Sequence, residues 1–242
     1  MGGSKLLRRG PVLAGLGLLG LVLLLRFGNT VAIALENPQP SRSVGTPARG
    51  ELHDGKRLPS RGENFRAYSD LGALLGRNAV HHKVRDTVLD AYAQLARERA
   101  DVTYVYGETG WPEGGSFEPH RTHQNGMAVD FFVPVRDRDG RPHPVPTHAF
   151  NRFGYDLEFN ARGRMAGYRI DFPAMAAHLR ALREASRRHG LDIEVVIFDP
   201  RLQPELFASP GGGALREGMN FSRRDAWVRH DEHYHVVFVE RG

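Results

Sequence analysis

HYHVVFV, residues 233–239, lies close to the end of the 242 residues and has the composition of a β-strand. Side chains alternate along a strand, so His233 and His235 are expected to project from the same face. Two imidazoles on one rigid face are suited to bind a metal ion, or to supply one ligand and one acid–base group. The alternative is a pair of surface histidines on an edge strand.

A second predicted strand, MAVDFFVPV (127–135), carries Asp130 among apolar residues. An unpaired buried carboxylate is costly, so Asp130 needs a partner, either a metal ion or an arginine such as Arg121 or Arg136. His123 lies seven residues earlier, where one local fold can place both side chains on one ion. Two histidines and one aspartate with an open position form the ligand set of a catalytic zinc site, for which Mn²⁺ and Co²⁺ are the alternative metals.

The chain contains no cysteine. This excludes a disulfide scaffold, an iron–sulfur cluster, a thiolate zinc site and a cysteine nucleophile. No serine lies in the strand–turn–helix elbow of a serine hydrolase, and Gly211–Gly213 lacks the lysine of a phosphate-binding loop. The neighbouring carboxylates Asp231 and Glu232 are expected to be solvated loop charges.

The hydrophobic pattern predicts an α+β domain over residues 63–242, with a small, mostly antiparallel central sheet flanked by helices and the metal site on the face of the sheet. Valines at helical spacing predict a helix over 79–99, with Asn78 as its N-cap. The other predicted elements are strands at 102–106 and 191–198, a β-hairpin flanking 160–164, a helix from Asp171 to Gly190, a short helix near 201–208 and a loop at Gly211–Gly213.

Residues 11–25 (PVLAGLGLLGLVLLL) form an apolar run preceded by Lys5, Arg8 and Arg9. A basic start followed by a short apolar stretch is the layout of an export signal. Residues 1–35 are therefore predicted to be an export signal or an N-terminal membrane anchor. In both cases the basic end stays in the cytoplasm and the rest of the protein lies on the opposite side of the membrane. Ala32-Ile33-Ala34 is a small-x-small cleavage site, whereas continuation of the apolar segment past Arg26 would make an uncleaved anchor.

Residues 36–62 are rich in Pro, Ser, Gly and Arg, without apolar periodicity, and predict a flexible linker. The net charge of the chain is +5, but residues 1–35 supply four positive charges and no negative one. The remaining residues are therefore close to neutral and give no electrostatic reason to expect nucleic acid as a partner.

Three segments together resemble the penicillin-insensitive murein endopeptidases: YGETGWPEGGSFEPHRTHQNGMAVDFF (106–132), IEVVIFDP (193–200) and HDEHYHVVF (230–238). These enzymes belong to a wider group of zinc peptidases that includes D-Ala-D-Ala metallopeptidases, lysostaphin-type enzymes and the hedgehog signalling domain. The group pattern is His-x6-Asp followed much later by His-x-His. The resemblance covers roughly residues 63–242. The chain departs from relatives that carry cysteines able to form disulfides.

The resemblance implies three zinc ligands: His123, Asp130 and His235. It implies that His233 is the acid–base or transition-state-stabilising residue, with a zinc-bound water as nucleophile. His120 and His230 are also implied to line the catalytic site, and the alternative for each is to orient a ligand through its other ring nitrogen.

For the substrate, the resemblance implies peptidoglycan, with hydrolysis of the D-alanyl–meso-diaminopimelate cross-link in the periplasm. Arg121 can bind a substrate carboxylate and Trp227 can contact the peptide; the alternatives are a surface arginine and a packing tryptophan. The sequence leaves two other functions open. One is a D,D-carboxypeptidase or dipeptidase acting on stem peptides, and the other is a zinc-containing binding module without turnover.

Overall fold

The computed structural model of the protein describes residues 9–223 and 229–242. Its helices are α1 (Arg9–Ala34), α2 (Asp70–Leu74), α3 (His82–Glu98), α4 (Phe172–Arg188), α5 (Gln203–Ala208) and α6 (Gly212–Gly218), with a 3-10 segment at Ala149–Gly154. Its strands are β1 (Arg42–Thr46), β2 (Arg49–His53), β3 (Lys56–Arg57), β4 (Phe65–Ala67), β5 (Ala79–Val80), β6 (Tyr104–Tyr106), β7 (Ala128–Phe132), β8 (Val135–Arg136), β9 (Pro142–His143), β10 (Arg164–Met165), β11 (Tyr168–Ile170), β12 (Leu191–Ile197) and β13 (His233–Glu240).

The central sheet has five strands in the order β12-β13-β7-β6-β4. Neighbouring strands are antiparallel except for β4 and β6, which are parallel. The α+β prediction with a mostly antiparallel sheet is therefore confirmed. β13 and β7 lie side by side in the middle of the sheet, so neither predicted metal-binding strand is an edge strand.

The two faces of the β7–β13 pair differ in chemistry. Tyr234 and Phe131 point to one face, where their rings contact the ring of His178 from α4. The other face carries His233, His235 and Asp130, as expected from the alternation of side chains. The apolar core therefore lies under α3 and α4, and the polar site lies on the opposite side of the same two strands.

The helices α3 and α4 lie close to where the hydrophobic periodicity predicted them. Asp171 caps α4 by accepting a hydrogen bond from Ala174 N at 3.1 Å, as predicted. The predicted cap of α3 is wrong: His81 caps this helix, and Asn78 is fully buried with its Nδ2 donating to Leu58 O at 2.6 Å. Asn78 therefore joins two loops instead of starting the helix.

Two smaller predictions are also wrong. A hairpin flanking 160–164 was predicted, but the hairpin that forms is β10–β11, which begins at Arg164. Residues 155–159 follow the 3-10 segment and are not one of its strands. The glycine run begins α6: Gly211 has a φ of +82°, which glycine adopts without strain, and it precedes the helix as its cap.

The prediction of a flexible linker at 36–62 is wrong. β1 and β2 form a hairpin, β3 pairs with β5, and Leu52 and Leu58 are buried at 2% and 1% exposure. Ser43 Oγ donates to Asn125 O at 2.6 Å, which ties the hairpin to the loop that carries His123. Two isolated leucines give no hydrophobic periodicity, so the composition of this segment did not indicate that it is packed.

The N-terminal helix α1 continues through Arg26 as far as Ala34. Within it, Leu13–Ala34 is a 22-residue stretch of mean hydropathy 1.9, and only 6% of the residues in its apolar part are buried in the protein. By length and composition it is sufficient to cross a membrane. The exposed apolar helix is consistent with an export signal or a membrane anchor.

Candidate metal centre

The histidine-rich face of β7 and β13 forms the floor of a cleft of about 830 Å³. The cleft brings together five of the predicted histidine and aspartate site residues as lining groups: His120, Asp130, His230, His233 and His235. His123 lies directly behind them, 1% exposed. The structure therefore assembles in one place all six residues, which come from two segments about 100 positions apart.

Asp130 is the centre of the cluster and is fully buried. Its Oδ1 accepts a hydrogen bond from His235 Nδ1 at 2.8 Å and lies 3.4 Å from His123 Nε2. Its Oδ2 accepts from the Tyr155 hydroxyl at 3.1 Å. Burial alone would raise the pKa of Asp130, but His123 and His233 hold this pKa well below its usual range. The carboxylate is therefore ionised and surrounded by imidazoles.

His123 presents one ring nitrogen to the cluster in a defined tautomer. Its Nδ1 lies 3.3 Å from the carbonyl oxygen of Ala128, which only accepts hydrogen bonds, so Nδ1 carries the proton. Nε2 is buried and has no hydrogen-bond partner among the described residues. The backbone of His123 has a φ of +77°, a conformation that residues other than glycine rarely adopt and that is typical of functional sites.

His235 repeats this pattern from the neighbouring strand. Its Nδ1 donates to Asp130, and its Nε2 is also buried, with no hydrogen-bond partner in the part of the chain that the structure describes. Burial lowers the pKa of His235 to about 4, with the hydrogen bond to Asp130 opposing part of the shift. A neutral imidazole with a lone pair that no donor uses is what a metal ligand requires. The centres of the His123 and His235 rings are 4.7 Å apart.

His120 also belongs to the potential ligand set. One ligand atom each from His120, His123 and Asp130 lie within 4.8 Å of one another, so this group can hold a metal ion. His120 Nε2 lies 2.5 Å from Glu108 Oε2, and its Nδ1 faces Asp130 Oδ2 at 3.8 Å. A carboxylate on the second nitrogen is the usual way to orient a metal-binding histidine.

Glu108 is itself fixed by two neighbours: Arg77 forms an ion pair with it, and the Tyr68 hydroxyl donates to it at 2.8 Å. Burial would raise the pKa of Glu108, but the hydrogen bonds from His120 and Arg77 outweigh it and lower this pKa to about 2. Glu108 therefore stays charged and holds His120 in position.

His233 lies beside the candidate ligands without a close contact to them. Its Nδ1 donates to Glu232 Oε1 at 2.8 Å, and its Nε2 is 3.7 Å from Asp130 Oδ2. Burial would lower the pKa of His233, but the carboxylates of Glu232 and Asp130 raise it to about 9. The imidazole is thus held as a cation between two carboxylates, with Nδ1 on Glu232 and Nε2 facing Asp130.

The expectation that Asp231 and Glu232 are solvated is wrong. Asp231 is 1% exposed and Glu232 is 4% exposed. Asp231 accepts a hydrogen bond from Phe159 N and pairs with Arg229, whose Nη2 lies 2.6 Å away. His230 lies between Arg229 and Asp231 in the chain, and its ring centre is 4.6 Å from that of His233. The segment before β13 is therefore fixed on both sides of His230.

The two predicted substrate-binding residues have different outcomes. Arg121 is exposed and lines the cleft, where a substrate group can reach it. Trp227 lies outside the described residues.

Sequence reasoning gave Tyr155 no role. The Tyr155 hydroxyl accepts a hydrogen bond from Glu108 N at 2.8 Å and donates to Asp130, so it links the backbone at Glu108 to the Asp130 carboxylate. Tyr155 comes from the segment after the 3-10 turn, far in sequence from either histidine motif, and nothing in its local pattern indicates this position. Glu232 was detectable, because it is the immediate neighbour of His233.

Comparison with protein-family models gives no match, and comparison with curated proteins gives none either. The functional argument therefore depends on the geometry of the site and on the motif resemblance.

Proposed function

We propose that the protein is a zinc-dependent peptidase that hydrolyses amide bonds in peptidoglycan cross-links. The observation that supports it best is the pair of buried nitrogens, His123 Nε2 and His235 Nε2, that lack hydrogen-bond partners beside the ionised Asp130. Buried polar atoms are nearly always paired, so two orphaned lone pairs beside one carboxylate fit a metal ion as their common partner. His235 lines an open cleft and His123 lies directly behind it, which fits a reactive site better than a closed structural one.

The residues that would hold the metal are His123 and Asp130, together with His235 or His120. All are nitrogen or oxygen donors, which suit Zn²⁺. A zinc ion in such a site supplies Lewis-acid polarisation of a carbonyl group and lowers the pKa of coordinated water.

His233 would deliver the proton that amide cleavage requires. The leaving nitrogen must be protonated to depart as an amine, and His233 is the imidazole placed to supply that proton, with Nδ1 on Glu232 and Nε2 3.7 Å from Asp130 Oδ2. Glu232 holds the other ring nitrogen at 2.8 Å, so the ring keeps one orientation. The arrangement assigns positioning to Glu232 and proton transfer to His233.

The cleft suits an extended peptide with both apolar and charged groups. Its lining includes the apolar side chains of Leu71 and Leu157 and the guanidinium group of Arg121, beside Arg152, which pairs with Asp156 at 3.4 Å. A guanidinium group such as that of Arg121 can bind a free carboxylate, which peptidoglycan stem peptides contain. The choice of the D-alanyl–meso-diaminopimelate bond depends on the motif resemblance alone.

The test is to incubate the detergent-solubilised full-length protein with disaccharide-peptide dimers from a diaminopimelate-type wall. Products are followed by mass spectrometry with zinc, with a chelator, and with His233→Ala as the control protein. We expect conversion of dimers to monomers that the chelator stops and that the control lacks. Loss of terminal D-Ala from intact dimers would indicate a carboxypeptidase, and zinc binding without any cleavage would indicate a binding module.

A further inference from the structure

The second half of α1 is bound along one side to the body of the protein. From Leu13 to Leu24 every side chain is exposed, whereas beyond that point protected positions recur at helical spacing. The protected positions are Leu25, Gly28, Asn29, Ala32, Ile33 and Glu36. The helix therefore has a free half and a docked half, and the change occurs near Phe27.

Polar contacts make this docking specific. Asn29 is 2% exposed, donates from Nδ2 to Leu58 O at 3.0 Å and accepts from Asn78 Nδ2 at 3.1 Å. Glu36, just after the helix, accepts from Arg57 N at 2.6 Å and pairs with Arg85 at 3.0 Å. A removable signal peptide has no need of a buried asparagine bonded to the mature domain. Cleavage at Ala32-Ile33-Ala34 would also cut through the docked half.

The apolar part of α1 up to Phe27, where the docking begins, is just long enough to cross a bilayer. Residues 11–27 form 17 helical positions, which rise about 26 Å, close to the ~30 Å hydrocarbon thickness and at the lower limit for a spanning helix. The docked half then begins where the headgroups begin. The 36–62 segment is held by the β1–β2 and β3–β5 pairs, so it does not act as a flexible tether between the end of α1 and the domain.

The short helix α2 lies between α1 and the cleft. Leu74 packs on Gly28, where a Cβ atom would lie 2.4 Å from Leu74 Cδ1. Leu71, on α2, and Leu75, directly after it, are 45% and 58% exposed and line the cleft. These two leucines form an exposed apolar pair continuous with a helix suited to lipid.

We propose that α1 is retained as a rigid anchor and that α2 contacts the bilayer surface through Leu71 and Leu75, which places the mouth of the cleft at the membrane interface. The partner is the headgroup and upper acyl region of a lipid bilayer. Leu71 and Leu75 lie beside the point where a spanning helix leaves the hydrocarbon, so this contact buries the apolar surface that the described residues leave exposed there. The proposal does not depend on catalysis, and a protein without peptidase activity would still be oriented in this way.

The absence of cysteine makes the test direct, because a single introduced cysteine labels one site. Full-length Leu71→Cys and Leu75→Cys proteins carry an environment-sensitive fluorophore and are reconstituted in phospholipid vesicles that contain a lipid with a quencher near the headgroup. Ala214→Cys is the matched control. Ala214 is exposed and belongs to α6, a helix that packs beside α4 and α5. Quenching of at least twofold at positions 71 and 75, with none at 214, is expected. Quenching at neither leucine position, or equally at all three, would overturn the contact.

The mass of the unlabelled protein extracted from membranes of the expressing cells tests retention of the helix separately. The intact chain is expected. A species that begins at residue 35 would show that α1 is removed and would overturn the anchor, whatever the protein cleaves.

Discussion

His235 lies directly opposite Asp130 on the adjacent antiparallel strand, with Nδ1 2.8 Å from Oδ1. The strand ladder fixes this pair, although the two residues are 105 positions apart in sequence. Backbone hydrogen bonds on β7 and β13 therefore set the spacing of the predicted ligands before any ion binds. A site built on strands in this way is more rigid than one built on loops.

Removal of His123 or Asp130 is expected to abolish stoichiometric metal binding, because both belong to every ligand set that the geometry supports. The measurement is metal content per chain after purification with zinc, for His123→Ala and Asp130→Asn. Exposed His143 provides the control as His143→Ala. Comparison of His120→Ala with His235→Ala identifies the third ligand: its loss should remove the metal, whereas loss of an orienting residue lowers metal affinity by about 10–100-fold. Full metal content in Asp130→Asn would contradict the site.

His233→Ala is expected to keep its metal and to lose turnover by about 10²–10⁴-fold, the range for a removed acid–base group. Glu232→Gln retains an oxygen that can accept from His233 Nδ1 but loses the charge that raises the pKa of the imidazole. We therefore expect a lower kcat for this variant with a nearly unchanged KM. Steady-state kinetics on a peptide dimer measure both values, and an unchanged kcat in both variants would show that neither residue takes part.

Tyr155→Phe is expected to weaken metal binding by about 10–100-fold without preventing folding. The lost hydroxyl leaves Glu108 N without an acceptor and removes one of the hydrogen bonds that orient Asp130. Competition with a fluorescent zinc chelator measures the affinity, and Tyr168→Phe, from β11, is the control. Equal zinc affinities in the two variants would refute this role for Tyr155.

His178 is expected to make stability fall at acid pH. It is fully buried against Tyr92 and Tyr104, and burial lowers its pKa to about 3 from 6.5. The unfolded chain therefore takes up the proton first, so the contribution is complete above pH 6.5 and is lost as the pH falls from 6.5 towards 3. Between pH 7 and pH 5 this one group removes about 2 kcal/mol of the free energy of unfolding.

The check compares His178→Phe with the wild type, because all other titrating groups are shared. A loss of about 2 kcal/mol corresponds to roughly 4–8 °C in Tm for a chain of this size. The wild type should lose that much more Tm than the variant between pH 7 and pH 5. Parallel curves would show that His178 is protonated or exposed in the folded protein.

Gly114 and Gly115 test whether the 36–62 segment is packed. Both have positive φ, +67° and +79°, so alanine is strained at either position. Only at Gly114 does a Cβ atom meet backbone, at 2.2 Å from Gln124 O and 2.4 Å from Leu52 N, while nothing lies within 4 Å at Gly115. Gly114→Ala should therefore destabilise the protein by about 1–3 kcal/mol more than Gly115→Ala. Equal Tm values for the two variants would mean that the β1–β2 hairpin is not held against this loop.

The sequence predicted the elements with strong periodicity. The strands carrying Asp130 and His235 and the helix from Asp171 are where alternation, helical spacing and a capping aspartate indicated them. The six residues of the cluster were also predicted: His123, Asp130, His233 and His235 from their spacing within or beside apolar strands, and His120 and His230 from the motif resemblance. In each case the prediction came from a local sequence pattern, and the structure agrees with it.

Other features depended on contacts that no local pattern records. Leu52 and Leu58 each bury one side chain in a polar stretch, so composition indicated a linker where the chain is packed. Asn29 looks like an interruption of an apolar helix until its partners, Leu58 and Asn78, are known. Glu232 and Asp231 become buried only because His233 and Arg229 neutralise them.

Because the ladder between β7 and β13 sets the ligand spacing, the loops that connect them are free to change in length. Residues gained or lost at the turns 137–141 and 160–167 leave the register of His235 against Asp130 unchanged. A single residue inserted between positions 233 and 235 would instead turn one of these histidines to the apolar face of the sheet. Natural variation in chain length should therefore accumulate in these turns and be absent from the His-x-His segment.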